Sequence, residues 1–415
     1  MAKMNPFEMF LKQVDEAIPY LNVEQEYVDI LKEPKEVLEI AIPLKLDDGT
    51  VQIVKGWRAH HNNALGPYKG GVRYHPNVSR EEVTALSAWM SIKCATAMLP
   101  YGGGKGGVRV SPHDLTKNEL ERLSRAYAMS IVRFTGTDID VPAPDVYTDP
   151  QIMSWFIDTY EKIVGRSEPS CYTGKPVGLG GSLGRGDATS RGGMYVLREA
   201  LREIGLLGKP LTAAIQGFGN VGSNAHKLFG EIGITVVAAS DSKGGTYNPK
   251  GLDYAALSAH KKSGGTVADY PEGERITTDE ILESQVDILI PAALEGVLTE
   301  ANAGKVKAKT ILELANGPTT PAAEQILHDN GAMVIPDVLA NSGGVTVSCF
   351  EWIQGRSGDY WSEKTVHDKL DERLSMAFHE IWAIRKQHNI RMRQAAYVRA
   401  ISRIVLAMRF RGIWP

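Results

Sequence analysis

Apolar residues recur at helical intervals near the start of the chain. Phe7, Phe10, Leu11, Val14 and Ile18 share one face, with Asn5, Pro6 and Glu8 in cap and first-turn positions ahead of them. The spacing then shortens to two. Leu38, Ile40, Ile42 and Leu44 alternate with other residues, Asp47, Asp48 and Gly49 supply a turn, and residues 51–59 return, which predicts a β-hairpin. Pro43 places its first strand at an edge or a bulge. Helical spacing resumes at Val83, Leu86, Trp89, Met90 and Ala97, behind Ser79 and Glu82 at capping-box distance, and Pro100 ends it. A short strand at 108–110 and a helix over 115–134 follow.

Glycine and serine crowd residues 174–185, the expected boundary between two domains. Beyond it, a helix over 189–204 leads to an apolar strand from Leu211. A glycine turn follows, then a helix over 223–232 and a strand over 234–239. Strand-like runs at 286–290, 310–314 and 333–335 alternate with helical segments, which predicts an α/β fold with a doubly wound parallel sheet. Two long helices close the chain: Leu370, Leu374, Phe378, Ile381 and Ile384 mark one apolar face, and Ile401, Ile404, Val405 and Met408 the other.

At 415 residues the chain is long enough for two cores, and a net charge of -3 argues against a general nucleic-acid binder. The arginines between 391 and 411 then read as the wet or subunit-facing side of a helix. Cys94, Cys171 and Cys349 form no Cys-x-x-Cys pair, which suits buried thiols in a reducing compartment. His60 and His61 are neighbours in a strand and point to opposite faces, so no metal site is expected. Neither a leader segment nor a run of roughly 20 apolar residues is evident, and the expected location is cytoplasmic, away from membranes.

Candidate chemistry gathers on three lysines. Gly102, Gly103, Gly104, Gly106 and Gly107 surround Lys105, an arrangement costly to order unless something approaches closely; the rival reading is a surface turn. It is not a Walker loop, because Leu99 and Gly106 stand where that pattern requires glycine and Ser or Thr. Lys69 sits within Gly66-Pro-Tyr-Lys-Gly-Gly-Val-Arg73, and Lys93 on the helix that feeds the glycine stretch. Pro142 and Pro144 stiffen the approach to Asp145, which is either a directed functional carboxylate or a turn stabiliser. Asp138 and Asp140 read as strand-end or solvent carboxylates. Gly217-Phe-Gly-Asn-Val-Gly222 follows an apolar strand and opens a helix, with Asp241 at the end of the next strand, which is the required context for dinucleotide binding. Asn316, Asp337 and Asn341 lie just past two later strands, where they either meet the nicotinamide end or cap turns and helices.

These motifs together resemble the glutamate, leucine, phenylalanine and valine dehydrogenase family, and glutamate dehydrogenases most. Gly66-Pro-Tyr-Lys-Gly-Gly, Pro100-Tyr-Gly-Gly-Gly-Lys-Gly-Gly, Pro142-Ala-Pro-Asp, Gly217-Phe-Gly-Asn-Val-Gly and Leu339-Ala-Asn-Ser-Gly-Gly-Val occur in the family's order, and the match runs from about residue 51 to the end. The resemblance implies an N-terminal α/β substrate and assembly domain, residues 1–185 plus a last helix at about 390–415. A Rossmann-type domain would occupy 186–389, ending in hinge helices, with the active site in the cleft between the two. It implies reversible oxidative deamination of glutamate to 2-oxoglutarate and ammonia with NADP or NAD, and a homohexamer. By the same resemblance Lys105 is the catalytic lysine and Asp145 its proton-transfer partner. Lys93, beside Met90, holds the α-carboxylate, and Lys69 with Ser348 the γ-carboxylate. Thr189, Gly217, Phe218, Gly219, Asn220, Val221 and Gly222 meet the cofactor, with Asn316 and Asn341 near its nicotinamide. At the adenosine end Asp241 favours a ribose hydroxyl, whereas Ser240, Ser242 and Lys243 offer donors to a 2′-phosphate, so use of both cofactors is expected. Two departures stand out: Ser190 replaces a usual glycine, and Met90 a glutamine of some relatives. An apolar amino acid as substrate, or a non-catalytic nucleotide-sensing paralogue, are the alternatives.

Overall fold

The first helix begins where its sequence signals place it. In the computed structural model, which describes residues 5–413, helix α1 (Pro6–Ala17) opens with a full capping box between Asn5 and Glu8 and buries Phe10, Val14 and Ala17. After α2 (Gln25–Leu31), β1 (Glu36–Lys45) and β2 (Val51–His60) form the expected antiparallel hairpin. Then come β3 (Tyr68–Tyr74), α3 (Arg80–Thr96), β4 (Gly104–Val108), α4 (Lys117–Ile131), β5 (Asp140–Pro144) and α5 (Pro150–Val164). The sheet order is β1-β2-β4-β3-β5, so Pro43 lies on an edge strand.

The second sheet is built from α6 (Ala188–Glu203), β6 (Leu211–Gln216), α7 (Asn220–Gly230), β7 (Ile234–Asp241), β8 (Gly244–Tyr247), α8 (Tyr254–Lys262), β9 (Glu274–Ile276), α9 (Thr278–Leu282), β10 (Ile288–Pro291), β11 (Thr310–Leu312), α10 (Pro321–Asp329), β12 (Met333–Ile335) and α11 (Asp337–Ala340). Its order is β12-β11-β10-β6-β7-β8-β9; strands β12 through β7 are parallel, and β8 and β9 extend that edge antiparallel. Helices α12 (Gly343–Ser357), α13 (Glu363–His388) and α14 (Met392–Arg411) complete the chain. Two compact units result. The first comprises Met1–Arg185, Val345–Asp368 and Tyr397–Pro415, and the second Gly186–Gly344 and Lys369–Ala396. Most of α12 thus packs with the first unit, where the sequence reading had put it in the second, and the return point is 397 instead of about 390. Residues 414–415 of the expected last helix lie outside the described residues.

The glycines flanking Lys105 lie in a strand, not a loop: β4 is the middle strand of the first sheet, and of the expected strand at 108–110 only Val108 belongs to it. Its glycines answer to the protein's own packing. A Cβ at Gly70 would overlap the Gly104 carbonyl, and one at Gly106 would run into the Tyr127 hydroxyl and the Arg58 guanidinium. Close approach is real here, but the approaching groups are backbone and buried side chains.

Asp140 is likewise not a solvent carboxylate. It is fully buried and takes Arg58 Nε at 2.7 Å and Nη2 at 2.5 Å, with His60 Nε2 at 2.8 Å. Arg58 also donates to the Gly70 carbonyl at 3.2 Å, so one guanidinium links β2, β3 and β5. Asp138, by contrast, is an exposed ion-pair partner of Arg356. Burial pushes the Asp140 carboxyl up, but the Arg58 and His60 charges outweigh it and bring it to about 2. Removing one partner of such a pair costs about 3–5 kcal/mol, so Asp140→Asn is expected to lose stability of that order in urea unfolding at pH 7. Because the folded pKa lies below an unfolded value of about 3.9, the gap between wild type and variant should be complete above that pH and close as pH falls towards 2.

Candidate active site

Strand register brings two of the expected residues together. Val72 on β3 pairs with Gly106 on one side and Pro144 on the other, so Lys105 and Asp145, each one residue away, flank the same strand. Their side chains form an ion pair, both largely shielded from solvent. The turn bearing Asp145 is held by Thr148, whose hydroxyl accepts from the Asp145 amide at 2.8 Å and donates to the Val72 carbonyl at 2.8 Å. Tyr147 between them has φ of 55°, a left-handed conformation that a bulky residue adopts only under constraint.

Burial lowers the Lys105 pKa, Asp145 opposes that, and Arg73 reinforces it. Arg73 was not expected in the site. It donates to Asp145 at 3.3 Å and to Glu82 at 2.6 Å, and its charge acts on Lys105. Burial raises the Asp145 carboxyl, but Lys105 and Arg73 more than compensate and bring it to about 2. The only sequence signal for Arg73 was its place after the paired glycines of the Lys69 motif.

Lys69 is 1% exposed and points inward, donating to the Val141 carbonyl and the Thr173 hydroxyl, each at 2.9 Å. Burial, with the Arg185 charge adding to it, brings its pKa down to about 7. Ser348 is fully buried on α12; its hydroxyl has no hydrogen-bond partner, so Lys69 and Ser348 are not bonded to each other. Arg185 was missed. Its Nε is buried without a partner, and burial lowers its pKa against the pull of Glu351. Glu351 is itself occupied, accepting from Lys175 Nζ at 2.6 Å and from the Gly174 amide at 2.8 Å. Met90 and Lys93 lie half-buried one turn apart on α3, and Met90 is the side chain nearest to Gly70.

In the second unit Gly217 has φ of 101° and Gly222 packs on its carbonyl, where a Cβ would overlap. Gly219 faces open space and caps α7 with no side-chain hydrogen bond, which leaves first-turn amides available to an anion beside Phe218, Asn220 and Val221. The residues therefore fit a dinucleotide pyrophosphate. Ser190 is accommodated: its hydroxyl donates to the Val221 carbonyl at 2.7 Å, next to half-buried Thr189 on α6. Asn341 Nδ2 donates to Asn316 Oδ1 at 2.9 Å and to the Ala315 carbonyl at 3.1 Å, while its Oδ1 is buried with no partner, an acceptor suited to a carboxamide. Asp241 is occupied, taking Lys261 Nζ at 2.5 Å and the amides of Val267 and Lys243 at 2.9 Å; Ser242 and Lys243 are exposed. Among the described residues no cluster of His, Cys, Asp or Glu has a metal-holding arrangement, and no helix is long and apolar enough to cross a membrane.

Two family models match the chain. One describes the Glutamate/Leucine/Phenylalanine/Valine dehydrogenase over residues 180–412, and the other the Glu/Leu/Phe/Val dehydrogenase dimerisation domain over 34–162. The chain is 48% identical over 416 aligned residues to a glutamate dehydrogenase of Thermotoga maritima, covering 100% of both. It is 47% identical to an NAD-specific glutamate dehydrogenase of Clostridioides difficile, covering 99% of this chain and 98% of that one. Among solved structures, a hetero-hexameric glutamate dehydrogenase from Thermus thermophilus in a leucine-bound form matches with a TM-score of 0.94 at 34% identity, over 100% of this chain and 99% of that one.

Lys69 generates a pH prediction. Its folded pKa, about 7, lies below an unfolded value of about 10.4, so the unfolded chain binds more protons between those limits and stability rises with pH there. Lys69→Met removes that rise. Relative to wild type, the variant's melting temperature should be highest at pH 7, and the advantage should fade by pH 10; a constant offset would show that Lys69 does not titrate in this range.

Proposed function

The chain belongs to the Glutamate/Leucine/Phenylalanine/Valine dehydrogenase family, and on that premise we propose that it oxidises L-glutamate reversibly to 2-oxoglutarate and ammonia with NAD or NADP. The observation that carries the substrate assignment is the Lys69 ammonium, buried with two neutral oxygens as its hydrogen-bond partners among the described residues, together with the orphaned Ser348 hydroxyl and Arg185 Nε. An apolar substrate side chain would leave these groups unanswered at a cost of several kcal/mol, on the order of the penalty for an unpaired buried charge. A second carboxylate answers them.

The dinucleotide, when bound, accepts hydride from the substrate Cα. The residues of the chain do the rest. Lys93 holds the α-carboxylate, and Lys69, Ser348 and Arg185 hold the γ-carboxylate, fixing Cα in one orientation. Lys105, its pKa lowered by burial, takes a proton from the water that attacks the iminium carbon. Asp145, in contact with Lys105, relays a proton to the departing amine, so that ammonia leaves and the carbonyl forms. Arg73 steadies the Asp145 carboxylate while the proton moves.

Asp241 supports use of both cofactors, because Lys261 already balances its charge and repulsion of a 2′-phosphate is reduced. We propose a homohexameric assembly; the hetero-hexameric neighbour supports the number six and not the identity of the chains, and the buried thiols suit the cytoplasm.

Assays of cofactor reduction test this reading. Lys105→Ala and Asp145→Asn should each lower kcat by at least about 10²-fold while the dinucleotide still binds, and near-normal turnover would remove that residue from the mechanism. Lys69→Leu strands the γ-carboxylate, a loss of about 2–5 kcal/mol, so kcat/KM for glutamate should fall roughly 30- to 4,000-fold while norvaline loses far less. A variant that kept its preference for glutamate over norvaline would point to an apolar substrate instead.

A further inference from the structure

Arg393, in the first turn of α14, is buried among three carboxylates of the second unit. Its Nη2 reaches Glu313 at 2.6 Å, its Nη1 reaches Asp337 at 2.7 Å and its Nε reaches Glu324 at 2.8 Å. Two of those arms continue into the turns that carry Asn316 and Asn341. Asp337 accepts from the Gly317 amide at 2.9 Å, immediately beside Asn316, and Glu313 accepts from the Asp337 amide at 2.8 Å, at the start of the short helix α11 that Asn341 caps. The two asparagines are themselves joined at 2.9 Å. The third arm is different: Glu324 belongs to α10, and among the described residues its side-chain hydrogen bond is to Arg393 alone.

We propose that Arg393 is a positioning residue for the nicotinamide half of the cofactor, holding the 313–317 turn against residues 337–341 so that Asn316 and Asn341 present one fixed pair of amides. This rests on the reading that those asparagines meet the nicotinamide. The physical need is plain. Three buried carboxylates around one guanidinium would repel one another if the cation moved, and burial already raises the Glu313 pKa. The planar fork bonds one oxygen of each of the three in one geometry, which a flexible ammonium cannot reproduce. A turn tied to that fork has little freedom to shift.

The test compares NADH with ADP-ribose, which lacks the nicotinamide, by titration calorimetry on the full-length enzyme. Asp337→Asn and Arg393→Lys should weaken NADH roughly tenfold and leave ADP-ribose within about twofold, and kcat should fall in parallel. Glu324→Gln, which loosens the arm leading away from the turns, should lower the melting temperature yet keep the NADH to ADP-ribose ratio of wild type. Equal loss of both ligands in Asp337→Asn, or no loss of either, overturns the proposal, and Asp337→Asn decides alone if Arg393→Lys does not fold. Asn316→Ala and Asn341→Ala serve as references: if neither alters the ratio, the nicotinamide reading itself fails, an outcome distinct from an Arg393 or Asp337 effect being absent while theirs is present.

Discussion

The first unit depends on a charge pair that touches no reacting group. Arg58 and Asp140 are completely buried and doubly bonded to each other, and the guanidinium reaches on to the Gly70 carbonyl, so β2, β3 and β5 are fastened at one point. Lys69 follows from β3, and Asp145 extends from β5. His60 stacks on Tyr68 at 4.0 Å and bridges Asp140 to Glu36, which closes the pair off from water. A buried pair of this kind adds little net stability over a well-packed apolar substitute, because both ions must be desolvated. What it supplies here is register. An apolar cluster of the same volume would tolerate small slips of one strand past another, whereas a two-pronged hydrogen-bonded pair does not.

Packing around that pair also explains the sequence composition of the middle strand. Arg58 and the Tyr127 hydroxyl lie where side chains from β4 would otherwise point, and the Gly104 backbone closes on β3 at Gly70. Lysine is the one long side chain left on that part of β4, and it is directed into a buried setting beside Asp145. Its pKa then follows from burial and the nearby Arg73, with Asp145 limiting the drop. Lys69, whose hydrogen-bond partners among the described residues are the Val141 carbonyl and the Thr173 hydroxyl, is brought down to about 7 by burial and the Arg185 charge.

The second unit uses ions differently. Its glycine turn leaves helix amides unsatisfied for an anion, while Asp241, at the tip of the neighbouring strand, is balanced by Lys261 from α8. Buried charge is again neutralised from a distant part of the chain, at Arg393 as at Arg58. In each case the long-range partner ties together strand ends or turns.

Read alone, the residues were enough to locate most helices, the first hairpin, the dinucleotide turn and the short list of lysines, because those signals are local: capping boxes, period and glycine spacing act within a turn or two of the chain. The family resemblance added the roles proposed for Lys105, Asp145, Lys69 and Ser348, which no periodicity conveys. What tertiary structure alone decided was which groups meet. The glycine stretch became a central strand because β2 and β3 close on it from both sides, and Asp140 went inward because Arg58, 82 residues earlier, is buried opposite it. Arg73 came to bond Asp145, Arg185 Nε became buried, and the 345–368 segment joined the first unit, for the same reason. Desolvation and pairing are properties of a position in space, and a carboxylate or guanidinium carries no mark in the sequence of the partner that folding will bring to it.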